Sequence, residues 1–236
     1  MLKDKPIISN QYGALVMAFV PFLYGIFASE LRFEHLWLAL SWLFLYLFSY
    51  PFFALFNKKN KQRDQKWAMI YFALSTLFAF PLLLSHFSLL QFCVPILPLA
   101  AIQMHYAKQK DERNLFNDIA GILTFGFVGM ASFYLATHQY NIEMLLHPTL
   151  FFIATTLYVK SVARERKNPR YLHLSIYVHL CLGIIYFGFQ YYPIALAYLV
   201  GLIRAIVVPK KNLKIKQVGM LEFAVVLIFT LALWLS

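Results

Sequence analysis

Residues 115–136 read LFNDIAGILTFGFVGMASFYLA. Asp118 is the one charged side chain in this stretch. Its length matches the ~20 apolar residues that a helix needs to cross a bilayer core. Strands of a membrane barrel would alternate apolar and polar residues over ~9–11 positions, and this run does not alternate. A polytopic helical membrane protein is therefore the expected class.

Moving outward, eight further runs have similar character: Gly13–Ser29, Leu36–Phe56, Trp67–Leu84, Phe87–Ala107, Leu145–Val162, Leu172–Phe189, Pro193–Val208 and Val218–Leu235. The apolar residues AVILMFWYC make up 61% of the 236 positions. A water-soluble domain of this length could not hide so much apolar surface. No polar stretch is long enough for a separate soluble domain. The expected architecture is all-α, one transmembrane helical bundle of about nine helices over residues 1–236.

The basic residues orient the bundle. Of 21 Lys and Arg, 20 fall in the N-terminal tail or in the connections after the second, fourth, sixth and eighth runs, counting Arg204 with the last group; only Arg32 falls on the opposite side. The positive-inside rule then places the N-terminus inside and the C-terminus outside. The expected location is the bacterial inner membrane, multi-pass. Lys3 and Lys5 precede the first run, but that run is long for a signal peptide and no A-x-A-like cleavage site follows it, so an uncleaved first helix is expected. The net charge of +11 reads as a basic face near anionic lipid headgroups, with membrane lipids as partners and no nucleic acid. Cys93 and Cys181 lie in apolar runs and read as buried small residues rather than a disulfide or metal pair. No metal and no cofactor are expected.

Polar residues near the helix ends carry the functional candidates, because ionisable groups within the membrane are costly. Asn10 and Gln11 at the first entry read either as a helix cap or as part of a headgroup-level pocket. The densest cluster is His105 to Asp118. With the fifth helix starting near Asp111, Asp111, Asn114 and Asp118 would share one face, and Arg113 and Asn117 another. Asp118 would then lie about two turns inside. Structural pairing and a binding or catalytic role both remain open there. Around Tyr158 to Arg170, Lys160 and Arg164 at i, i+4 read either as favourable C-terminal cations or as a phosphate cradle. Arg204 and Glu222 suit an interhelical ion pair, and His179 a hydrogen-bonded core histidine. The candidate acids or bases are Asp111, Glu112 and Asp118. The candidate ligand-binding residues are Gln11, Lys108, Arg113, Asn114, Asn117, Lys160, Arg164 and Arg166.

The segments Lys5-Pro6…Asn10-Gln11-Tyr12-Gly13-Ala14…Met17…Val20-Pro21-Phe22, Glu112 to Gly121 and Tyr158 to Arg166 resemble the YwiC-like bacterial membrane proteins, a family without an established activity. More distantly, the layout is similar to the UbiA-type intramembrane prenyltransferases. That resemblance implies nine helices, N-terminus inside, and a site beneath the cytoplasmic loops where Asp-rich motifs hold magnesium and an isoprenyl pyrophosphate. Here the first such place reads Asn60-Lys61-Gln62-Arg63-Asp64, with Ala68 where a further Asp would fall. The second reads Arg164-Glu165-Arg166-Lys167-Asn168, without Asp. Two-metal chemistry needs several oxygens per ion, and these stretches do not supply them.

The leading functional expectation is binding or processing of an anionic lipid or isoprenoid at the cytoplasmic face. The alternatives are a secondary transporter or permease, and a non-catalytic scaffold. Whether the chain is an enzyme, and its oligomeric state, are open on these residues.

Overall fold

The computed structural model describes residues 5–8, 12–56, 62–211 and 213–236, the Tyr12 side chain excepted. Among them are nine α-helices and no strand: α1 Tyr12–Phe27, α2 Glu34–Ala54, α3 Gln62–Ser85, α4 Cys93–Lys108, α5 Leu115–Thr137, α6 Glu143–Val159, α7 Pro169–Gly188, α8 Tyr192–Val207 and α9 Ile215–Trp234. Eight of the nine lie in helical segments long and apolar enough to span a membrane. The ninth, α1, has 16 residues, about 24 Å at 1.5 Å per residue.

The helices depart from the apolar runs where proline or the chain ends intervene. The run from Phe87 begins as a 3-10 turn, Phe87–Phe92, before α4. Pro95 and Pro98 have no N–H to donate one turn back, so regular α geometry is interrupted at that entry. The run from Leu145 ends in a single π-turn, Lys160–Arg164. The α5 C-cap His138 and Gln190, in the short α7–α8 link, adopt left-handed backbone (φ 55° and 66°), a conformation that closes a helix in few residues.

The chain forms two compact units, residues 1–145 and 146–236. In the first, α2 packs along α3, α1 along α5 and α4 along α5. Small residues set the α1–α5 approach: a Cβ on Gly25 would lie 2.5 Å from the Gly129 carbonyl oxygen, and one on Gly129 2.7 Å from that of Pro21. Backbones this close gain dispersion contacts that lipid tails cannot replace. Side chains then bond across the crossing. Ser132 Oγ donates to Phe22 O at 2.9 Å, Trp42 Nε1 to Ala18 O at 2.9 Å, and His35 Nε2 to Ser132 O at 3.0 Å. Because the His35 Nδ1 accepts from Arg32 N–H, the buried imidazole is satisfied on both sides. The N-terminal segment is tied to α3: Arg63 Nη2 donates to Lys5 O and Tyr71 Oη to Ile7 O.

In the second unit α7 packs on α8, and α8 on α9. Phe151 and Phe152 of α6 are fully buried with Tyr198 and Phe229, and Phe151 stacks on Phe229 with ring centroids 3.7 Å apart.

Burial separates interior helices from lipid-facing ones. In α5, 61% of the spanning window is buried, and in the α6 segment 72%; in α2 and α4 the value is 11%. On α3, Met69, Phe72, Leu77, Phe80 and Leu84 are exposed, which suits contact with acyl chains. Cys93 and Cys181 are also exposed and free. The expectation of buried cysteines is thus corrected: lipid offers the same apolar surroundings on the outside of a helix.

Candidate functional site

In the densest polar cluster, 105–118, Asp111, Asn114 and Asn117 serve turn and cap chemistry. Helix α5 starts at Leu115, not near Asp111, with Asn114 as its N-cap. Asn114 Oδ1 accepts from Phe116 N–H at 3.0 Å, and its Nδ2 donates to Asp111 Oδ2 at 2.8 Å. Asn117 Nδ2 donates to Glu112 O at 2.8 Å. Asp111 therefore lies in the turn rather than on a helix face with Asn114 and Asp118. Asp118 sits in the first turn of α5, not two turns inside, and is half-buried. A carboxylate there is favoured by the helix N-terminal dipole. Asp111, Glu112 and Arg113 are exposed, and Lys108 Nζ lies 5.4 Å from the Phe56 ring centroid. Gln11, with Asn10, Asn60 and Lys61, lies outside the described residues. Asp64, the remaining acid of the UbiA-like pattern, is buried in the first turn of α3.

The second cluster lies after α6. The π-turn is closed by Glu165 N–H donating to Lys160 O at 2.7 Å. Lys160 is buried, its Nζ 5.9 Å from the Tyr171 ring centroid, whereas Arg164 is exposed. Arg166 works as a strap: its Nε donates to Val162 O, and its Nη2 to Leu213 O at 2.8 Å. These bonds tie the end of α6 to the start of α9 and commit part of the guanidinium fork.

A pocket of about 490 Å³ opens beside this strap. Ser161, Val162, Arg166, Lys167, Asn168, Pro169, Leu172, Val208, Pro209, Leu213 and Val218 line it. Its apolar floor includes Val162, Val208 and Val218, which pack with Tyr158 and Ala205 in one cluster. Its rim carries Arg166 and Lys167, and Arg164, Arg170, Lys210, Lys211, Lys214 and Lys216 are also exposed in the segments that form it. Glu165 is the only acid within 160–170 and 208–217. No acid, histidine or cysteine is among the lining residues. Among the described residues, no three His, Cys, Asp or Glu side chains come together as a metal site.

A third group lies deeper in the second unit. Arg204 of α8 and Glu222 of α9 form the ion pair that their positions suggest, Nη1 to Oε2, at 2.5 Å. Arg204 Nη2 donates to His179 Nε2 at 3.2 Å, and His179 Nδ1 donates to Ser175 O at 2.7 Å. These bonds specify the neutral imidazole with its proton on Nδ1, since a proton on Nε2 would oppose an Arg204 N–H. The Tyr158 ring covers the guanidinium, with Cζ 4.1 Å from the ring centroid. A Cβ on Gly201 would lie 2.5 Å from His179 Cδ2, so only glycine lets α7 and α8 seat the histidine. Tyr158 and Ser175 received no role in the sequence reading, because a tyrosine or serine within an apolar run leaves its hydropathy intact. The available signal was helical spacing: Ser175 and His179 stand four residues apart on α7.

The family model described as YwiC-like protein matches residues 8–133. An uncharacterised protein of Haemophilus influenzae is 47% identical over 232 residues, which is 97% of this chain and 98% of that protein. The uncharacterised protein YwiC of Bacillus subtilis is 36% identical over 222 residues, 92% of each chain. No solved structure matches. The chain belongs to the YwiC-like family, as its N-terminal, 112–121 and 158–166 motifs suggest.

Proposed function

We propose that this YwiC-like protein lies in the bacterial inner membrane and binds an anionic lipid or isoprenoid phosphate at the basic end of its second unit, on the cytoplasmic face, a placement that the positive-inside rule supports. The observation that carries this reading is the 490 Å³ pocket with an apolar floor and an Arg166–Lys167 rim. A lipid has the matching two-part chemistry. Its acyl chain suits Val162, Leu172, Val208 and Val218, and its phosphate suits the cations of the rim and the neighbouring turns. With no acid or histidine in the lining, the arrangement favours binding over acid–base catalysis within the pocket.

Substituting Arg166 would break its bonds to Val162 and Leu213, so the exposed Arg164 and Lys167 are the positions to change. Each basic residue near an anionic surface contributes about 1 kcal/mol. The double substitution Arg164→Ala/Lys167→Ala is expected to weaken phosphatidylglycerol binding by about 2 kcal/mol, roughly 30-fold. Native mass spectrometry of protein in nanodiscs, titrated with phosphatidylglycerol, phosphatidylcholine and undecaprenyl phosphate, measures this and separates the lipid classes. Equal binding of phosphatidylcholine and the anionic lipids, unaffected by the double substitution, defeats the proposal.

A further inference from the structure

The Arg204 cluster has more hydrogen-bonding capacity than the protein satisfies. Among the described residues, Arg204 Nε, Glu222 Oε1, Tyr158 Oη and Ser175 Oγ are all buried and have no protein partner. They belong to one connected group. Tyr158 lies on the Arg204 guanidinium, Arg204 bonds Glu222 and His179, and His179 bonds the Ser175 carbonyl. The four atoms come from α6, α7, α8 and α9 in turn. Tyr158 and Ser175 are fully buried and Arg204 is 4% exposed. Glu222 stands seven residues into α9, about 10 Å from its start.

In a bilayer these atoms have no access to bulk water, and each buried polar group without a partner is destabilising. A helical serine ordinarily bonds back to the carbonyl one turn earlier, and Ser175 does not. The unsatisfied set comprises the Arg204 N–H and the two hydroxyls as donors, with the Glu222 oxygen as acceptor. The Arg204–Glu222 pair is neutral as a unit and His179 is uncharged. An anion would meet Glu222 and a cation would meet Arg204, so the complementary ligand is neutral and both donates and accepts. It is also small, because Tyr158 and Ser175 are wholly enclosed and Arg204 nearly so. Water meets each condition and needs only two to four polar partners.

We propose that Tyr158, Ser175, Arg204 and Glu222 form an intramembrane water-binding site enclosed by α6, α7, α8 and α9. Val162, Val208 and Val218 separate it from the basic pocket as an apolar layer that Tyr158 joins. The site does not rest on lipid binding: it stands on the buried atoms alone, and its test reads none of the pocket residues.

X-ray hydroxyl-radical footprinting of the full chain in nanodiscs tests it, because radicals formed from bound water label the side chains beside them. Tyr158 is expected to be oxidised despite its complete burial, and that label is expected to disappear in Arg204→Leu/Glu222→Leu, which removes the polar partners together. Thermal unfolding gives the second readout. Tyr158→Phe or Ser175→Ala removes a hydroxyl that water satisfies, and at least one of them is expected to lower the Tm by about 2–4 °C. A Tyr158 without label, a label that persists in the double variant, or a Tm unchanged or raised in both single variants overturns the proposal.

Discussion

Between Gln109 and Asp118, polar side chains are crowded in sequence, and Asp111, Asn114 and Asn117 bond to their own neighbours. Within α6 to α9, they are scattered over 65 residues, from Tyr158 to Glu222, and bond across helices. The first region has Asn114 capping α5 and Asp111 holding Asn114, at an exposed turn where water is a ready substitute. The second has Arg204 in the interior, bonded to His179 and Glu222 from the neighbouring helices. Polar density in a membrane protein sequence thus marks where the chain meets water. Isolated polar residues within spans mark where the bundle must be specific.

The contrast predicts unequal sensitivities. The largest effect is expected from Arg204→Ala, which leaves the Glu222 carboxylate buried without its partner. Breaking one side of a buried pair costs about 3–5 kcal/mol, whereas replacing both sides with apolar groups is often tolerated. Thermal unfolding in nanodiscs should therefore show Arg204→Ala far below wild type and Arg204→Leu/Glu222→Leu recovering most of the loss. If the double variant is as unstable as the single one, the pair is not the source of that loss.

Two glycines sharpen the comparison at the next level. Gly201→Ala drives a methyl group into His179 and is expected to cost about 1–3 kcal/mol through overpacking. Gly121→Ala, on α5, meets Gln103 Oε1 at an ordinary 3.7 Å. It is expected to be neutral or to stabilise by up to about 1 kcal/mol, through better helix propensity. The same unfolding measurement ranks them, and equal effects would remove the distinction between a packed polar interior and a tolerant helix face.

The smallest effects belong to the exposed turn. Asn114→Ala removes the α5 cap and is expected to cost about 1 kcal/mol. Asp111→Ala, which loses only an exposed hydrogen bond to that cap, should cost about 0.5 kcal/mol or less. Hydrogen exchange at the first-turn amides of α5 reads both locally: Phe116 N–H should lose protection in Asn114→Ala and keep most of it in Asp111→Ala.

Much of the fold was legible in the residues. Each of the nine runs corresponds to a helical segment, because lipid forces every backbone group to be satisfied within its own segment and makes hydropathy a local signal. The Arg204–Glu222 pair was legible too, since opposite charges on successive spans have few other places to go. A start of the fifth helix near Asp111 is corrected to Leu115. The left-handed Lys110 (φ 59°) and the Asn114 cap move the start of α5 past Asp111, and helical spacing alone does not reveal a cap. The π-turn after α6 was equally invisible, since it depends on which carbonyls the Arg166 strap and the Glu165 amide reach.

The sequence by itself determined that this chain is a multi-span helical membrane protein whose Lys and Arg concentrate in alternate connections between the apolar runs. Both properties follow from composition read along the chain. Only the tertiary structure decided that Tyr158, Ser175, His179, Arg204 and Glu222 meet, and that a pocket forms beside Arg166 and Lys167. In water, an apolar stripe tells which face of a helix turns inward. In lipid, both the inward and the outward faces are apolar, so the rotation and pairing of each helix depend on small-residue contacts and polar partners. The close seating of Gly201 on His179 is one such contact, and it has no signature in hydropathy.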